Sequence, residues 1–126
     1  MSALCSGKRI ETVKEISYEI KNNTIAIDFD GVIHKYSKGW QGLQNAYDPP
    51  NQGAVESIKK LKSLGFRLVI FSSRTVSVIE KWLKKYGLEE YFDEVTNTKI
   101  PARIYIDDRA YHFESWEKTL KDLFSD

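Results

Sequence analysis

Asp28 and Asp30 stand two residues apart in the stretch TIAIDFDGVIHKY, where the apolar run of residues 25–29 turns acidic. A second acidic pair, Asp107-Asp108, closes another apolar run, ARIYI at residues 102–106. Ser72-Ser73 ends a third, FRLVIF at residues 66–71, and Lys99 lies just ahead of the last strand. Carboxylates brought together resist desolvation and repel one another unless a cation joins them. A hard divalent ion with oxygen ligands, Mg²⁺ above all, suits such a set. With Lys99 as a fixed positive charge and a serine hydroxyl as donor, the set is chemistry for a phosphoryl group. Alternation along an extended segment would put Asp28 and Asp30 on one side, within reach of one site.

These residues meet only if the elements between them cooperate. Each apolar run reads as a buried strand. From about residue 51, Val55, Ile58, Leu61 and Leu64 recur at helical spacing, and Gly65 supplies a stop. Val76, Ile79, Trp82, Leu83 and Tyr86 mark a second helix ended by Gly87, and Trp116, Leu120 and Leu123 a last one. Residues 92–96 form a short strand. Strands alternating with helices of this length predict βαβ units. The fold class is α/β: a three-layer Rossmann-like arrangement, a mainly parallel sheet with helices on both faces and right-handed crossovers. Ligands of such sheets bind beyond the carboxyl ends of the strands, where all these polar residues converge.

The segment 31–50 holds three glycines and Pro49-Pro50 and reads as a long loop. Residues 1–23 are polar and ambiguous between helix and strand, an N-terminal extension ahead of a single domain at 24–126. The 126 residues, 41% apolar and 29% charged, suit one soluble domain. A net charge of +1 supplies no field to attract nucleic acid or acidic lipid. The lysines at 59, 60, 62, 81, 84 and 85 read as wet helix faces. Cys5 is the single cysteine, so no intrachain disulfide forms. No apolar run is long enough to span a membrane and no signal core is evident, so a cytoplasmic location is expected.

The four stretches in this order resemble the motifs of the haloacid dehalogenase-like superfamily. DFDGVIH is similar to its first motif, VIFSSR to the second, Lys99 in TKIPA to the third and IYIDDRA to the fourth, across about residues 24–113. With the tryptophan and DPP of the long loop, the chain looks like a small phage and bacterial branch without a cap domain. That branch is similar to the phosphatase domain of polynucleotide kinase-phosphatases. The resemblance implies Mg²⁺-dependent hydrolysis of a phosphate monoester. Asp28 would be the nucleophile that becomes an aspartyl-phosphate, and Asp30 the acid and base whose backbone carbonyl also meets the metal. Asp108 would be a direct metal ligand, and Asp107 a ligand through water or an orienter. Ser72 would donate to a phosphoryl oxygen, with Ser73 one register away, and Lys99 would neutralise phosphate and hold Asp28. Val32 stands where many of these phosphatases carry threonine.

Other residues carry competing readings. His34 is a substrate contact or an exposed loop histidine. Trp40 stacks on a base, covers the site, or plugs the loop onto the sheet edge. Arg74 grips phosphate or caps the next helix. Arg109 makes a structural ion pair, His112 and Trp116 pack the last helix, and Trp82 and Tyr86 belong to the core. Neither insertion window, about 20 residues after the first motif and residues 88–100, can hold a cap domain. The site is therefore expected to be open, suiting a nucleic-acid end or phosphoprotein, a nucleotide stacked on Trp40, or closure by a second copy of the chain. The rival classes are a silent phosphate- or metal-binding module and a receiver-like phosphoacceptor domain. In the receiver the acceptor aspartate sits on a middle strand, where this chain has serine.

Overall fold

The structure, a computed structural model, describes residues 23–98, 100–107 and 111–124. Its elements run β1 (Thr24–Ile27), α1 (Ala54–Ser63), β2 (Arg67–Phe71), α2 (Val76–Lys85), a 3-10 turn (Glu89–Tyr91), β3 (Glu94–Thr96), β4 (Ile104–Asp107), β5 (Tyr111–His112) and α3 (Trp116–Phe124). All strand pairings are parallel, and the spatial order is β3-β2-β1-β4-β5. The chain is an α/β protein of Rossmann-like architecture, and no cap domain is present among the described residues.

Every residue of β1 is buried, which explains why the residues after Thr24 are continuously apolar rather than alternating. On one face Ile25, Ile27, Leu68, Ile70 and Ile106 pack against Ile58 and Leu61 of α1, Ile79 and Leu83 of α2, and Trp116 of α3. Ala26 and Val69 point the other way and are buried too, on the face where Phe71 meets Tyr105 edge-on at 5.5 Å.

The helices stop where the sequence predicts, by one device used twice. Gly65 takes φ +95°, its N–H donates to Lys62 O and the Phe66 N–H reaches back to Leu61 O. Gly87 takes φ +68°, its N–H donates to Lys84 O and the Leu88 N–H reaches Leu83 O at 2.8 Å. Both are glycine-terminated caps that satisfy the last carbonyls and turn the chain toward the next apolar residue.

Some boundaries differ from the sequence reading. β1 ends at Ile27, two residues early, because the Asp28 carboxylate accepts the N–H of Phe29 at 2.8 Å. The Phe29 carbonyl then accepts the N–H groups of Val32, Ile33 and His34 and tightens the chain into a turn. Asp28 and Asp30 therefore do not share a side through strand alternation. The segment 31–50 is less irregular than expected: His34 bridges both Asp30 and Pro50, and the Asn51 N–H donates to Ile33 O at 2.7 Å. The strand β5 and the 3-10 turn carry no pattern that sequence reasoning had assigned. His112, expected to pack the last helix, is exposed in β5, whereas Trp116 is buried and donates from Nε1 to Val32 O.

Candidate active site

The sheet order reverses at β1. From there the chain steps outward through β2 and β3, then returns to lay β4 against the free side of β1. Ile27 pairs with Ile70 on one side and Ile106 on the other, and the Asp28 N–H donates to Ile106 O at 3.1 Å. Asp28 and Asp107 thus emerge next to one another at the carboxyl ends of adjacent strands, beside the reversal point where open parallel sheets bind ligands.

Ser72 leaves β2 at the same rim, its N–H donating to Thr96 O at 3.0 Å. The Ser72 hydroxyl accepts the Arg74 N–H at 3.1 Å, so its own proton remains to be given to another acceptor. Ser72 is buried and Ser73 is exposed. Lys99, Asp108 and Arg109 lie outside the described residues, as does most of the extension at 1–23. Asp28, Asp107 and Ser72 therefore define the described part of the site, and among the described residues no group of three His, Cys, Asp or Glu is disposed to hold a metal. Asp28 and Asp107 are hard oxygen donors side by side, which fits Mg²⁺ as far as the described residues extend.

Asp30 is held differently from the sequence reading. Its carboxylate, 19% exposed, accepts Arg74 Nε at 3.1 Å on Oδ2 and Arg74 Nη2 at 3.0 Å on Oδ1. His34 Nδ1 meets the same Oδ1 at 2.8 Å. The Asp48 N–H donates to His34 Nε2 at 3.0 Å, which fixes the tautomer: Nε2 is the acceptor and Nδ1 carries the proton given to Asp30.

Two residues expected at the substrate, His34 and Arg74, are held by contacts within the protein. His34 is 0% exposed, its ring stacked on Phe29 at 5.1 Å and edged by Tyr47 and Trp82. Both of its ring nitrogens are occupied, Nδ1 by Asp30 and Nε2 by the Asp48 N–H. Arg74 is 1% exposed, and α2 has no side-chain cap. Its third nitrogen, Nη1, donates to the carbonyls of Gly42 and Leu43 at 3.0 Å each, so the guanidinium is spent on Asp30 and on the loop. Trp40 lies over that guanidinium at 5.2 Å and is 56% exposed, so it does not plug the sheet edge. Trp82, by contrast, is core as expected, and donates to Asp48 O at 2.7 Å.

Sequence reasoning missed Tyr36. It is the one non-glycine residue among those described with a left-handed backbone, φ +62°, and its ring sits 5.9 Å from that of His34. Such a backbone is costly for a side chain with a Cβ and is found where a site requires it. Partial burial, then the Asp30 carboxylate, push the Tyr36 phenol above its ordinary range, with Tyr47 and Asp28 adding to this and Arg74 opposing it. The hydroxyl thus lies within the field of both aspartates. No residue-type signal near Tyr36 announces this.

A family model described as haloacid dehalogenase-like hydrolase matches residues 5–100 of this chain. Among solved structures, the chain is similar to a conserved protein from Bacteroides thetaiotaomicron. Identity is 25% over 79% of this chain and 88% of that one, with a TM-score of 0.61. An uncharacterized protein from Listeria monocytogenes serotype 4b matches at 21% identity and a TM-score of 0.46, over 80% of this chain and 57% of that one. No curated protein matches the chain.

Proposed function

Because the chain belongs to the haloacid dehalogenase-like hydrolases, we propose that it is a Mg²⁺-dependent phosphatase that cleaves a phosphate monoester through a phosphorylated Asp28. The observation that carries this reading is the placement of Asp28 and Asp107 on neighbouring strands at the reversal of the sheet. Asp28 attacks phosphorus and the ester oxygen departs, leaving an acyl phosphate on Asp28. Asp30, once it has taken a proton from solvent and turned from Arg74, gives that proton to the departing oxygen, then takes one from the water that attacks the acyl phosphate, so Asp28 and inorganic phosphate are both released. Ser72 donates its free hydroxyl proton to a phosphoryl oxygen, Ser73 borders the entrance, and Lys99 neutralises phosphate charge. Asp28, the Asp30 carbonyl, Asp107 and Asp108 would hold Mg²⁺, which screens carboxylate from phosphate and stabilises the charge of the transition state.

With no cap among the described residues, the entrance is open, and the exposed face of Trp40 beside it favours a substrate with a base to stack. A nucleotide or a nucleic-acid end fits, as for the phosphatase domain of polynucleotide kinase-phosphatases. The test is phosphate release from an aryl phosphate, then from 3′- and 5′-phosphorylated oligonucleotides, each with Mg²⁺ or EDTA and beside Asp28→Asn. Loss of activity in EDTA and in the variant is expected. Turnover that survives both removes the assigned chemistry.

A further inference from the structure

Whereas His34 joins Asp30 to Asp48, Arg74 joins Asp30 to the part of the loop next to Trp40, at residues 42–43. Its guanidinium lies between Phe29 at 6.0 Å and Trp40 at 5.2 Å, closed off from water. Two of its nitrogens grip the Asp30 carboxylate and the third grips the carbonyls of Gly42 and Leu43. All three nitrogens of the fork are occupied, and a buried guanidinium tolerates no unpaired direction. The loop is knit beyond this contact. Tyr47 Oη accepts the Lys38 N–H and donates to Gly39 O, and Asp48 accepts the Ser37 N–H. A shift of the segment at 39–43 therefore pulls on Arg74, and Arg74 pulls on Asp30.

We propose that Arg74 is a positioning residue that makes Asp30 and the Trp40 loop one mechanical unit, so that what docks on the loop sets where the proton-transfer carboxylate points. The catalytic half of this rests on the phosphatase reading; the coupling itself does not. Asp30 needs freedom to face a leaving oxygen, and to turn that way it has to release an Arg74 N–H. Lysine cannot replace Arg74: its single ammonium cannot span the carboxylate and two backbone carbonyls together.

The test compares Arg74→Met, Arg74→Lys and Asp30→Asn with wild type and with Asp28→Asn as control. Hydrogen exchange is followed over residues 39–45, and steady-state kinetics on an aryl phosphate. Asp30→Asn is informative because one orientation of its amide presents N–H to N–H. Arg74→Met, Arg74→Lys and Asp30→Asn are each expected to speed exchange of the loop amides at least about tenfold, the scale of a lost charge-assisted hydrogen bond. Asp28→Asn leaves it unchanged. Arg74→Met lowers kcat on the order of 100-fold, the scale of a misplaced catalytic group, and leaves KM near wild type. Arg74→Lys, which keeps the buried charge, carries the test if Arg74→Met does not fold. Loop exchange unmoved by Asp30→Asn, or a change in KM without one in kcat, overturns the coupling. A wild type that releases no phosphate from any compound overturns the phosphatase reading, and the exchange arm still decides the coupling.

Discussion

Replacing His34 by phenylalanine keeps the ring and removes both of its hydrogen bonds. The stack on Phe29, 15° from parallel, and the edge contacts with Tyr47 and Trp82 survive, because a phenyl group fills nearly the same volume. What disappears is the Nδ1–H donated to Asp30 at 2.8 Å and the Nε2 that accepts the Asp48 N–H at 3.0 Å. A hydrogen bond to a carboxylate contributes about 1.5–3 kcal/mol, and stranding the Asp48 N–H, half-buried and partly within reach of water, costs about 1 kcal/mol. The sum, about 2.5–4 kcal/mol, is a large share of the roughly 5–15 kcal/mol that holds a domain together. It corresponds to a fall in Tm of roughly 10–15 °C at this chain length. Urea unfolding of both proteins, followed by the buried tryptophans, gives the free energy directly. KM for an aryl phosphate is measured on the folded variant and should stay within about twofold, the argument being that His34 meets protein and not substrate. Stability within about 0.5 kcal/mol of wild type, the range of an ordinary surface change, together with a sharply raised KM, would refute this and restore His34 as a substrate ligand.

Further outcomes follow from other contacts. Gly53, at φ +81°, faces Trp116, and a Cβ there would lie 3.3 Å from that residue's Cβ. Gly39→Ala, with nothing within 4 Å, should cost only the backbone part, about 1–2 kcal/mol, read in the denaturant midpoint, whereas Gly53→Ala should cost more because Trp116 must also give way. Asp93 joins α1 to the sheet: burial raises its carboxyl, but the Lys62 ammonium and the Leu68 N–H outweigh this and leave it below the ordinary range. A depressed folded value means that the stabilisation is complete above the unfolded value, near 4, and fades as pH falls through the folded one. Denaturant midpoints should therefore drop below about pH 4 in wild type and less steeply in Asp93→Asn. The difference should be about 1 kcal/mol or less, because both partners are about one-third exposed.

The strands and helices were readable because burial on both sides makes β1 and β2 continuous apolar runs, and because Gly65 and Gly87 terminate helices by the backbone freedom that glycine alone supplies. The acids at strand ends were readable for the same reason: polar residues directly after a buried run must lie at a rim. The roles of His34 and Arg74 were not readable. Arg74 meets Asp30 across 44 residues and Gly42 across 32, and no local spacing reports a partner that distant. The sequence alone also suggested that Asp30 continues the strand. One carboxylate-to-amide contact at Asp28 ends it instead, and turns Asp30 toward the guanidinium.

The central place of β1 also bears on biosynthesis. Ile25 pairs with Ile104, so the strand leading into Asp28 leaves the ribosome roughly 80 residues before its neighbour on that side, a contact of high sequence separation. The βαβ unit of β1, α1 and β2 can assemble early, while the second acidic strand must slot in afterwards against an edge left waiting. A nascent chain cut short anywhere before that insertion presents half of the rim and an unpaired strand edge. Such fragments would be prone to stick to one another through that edge.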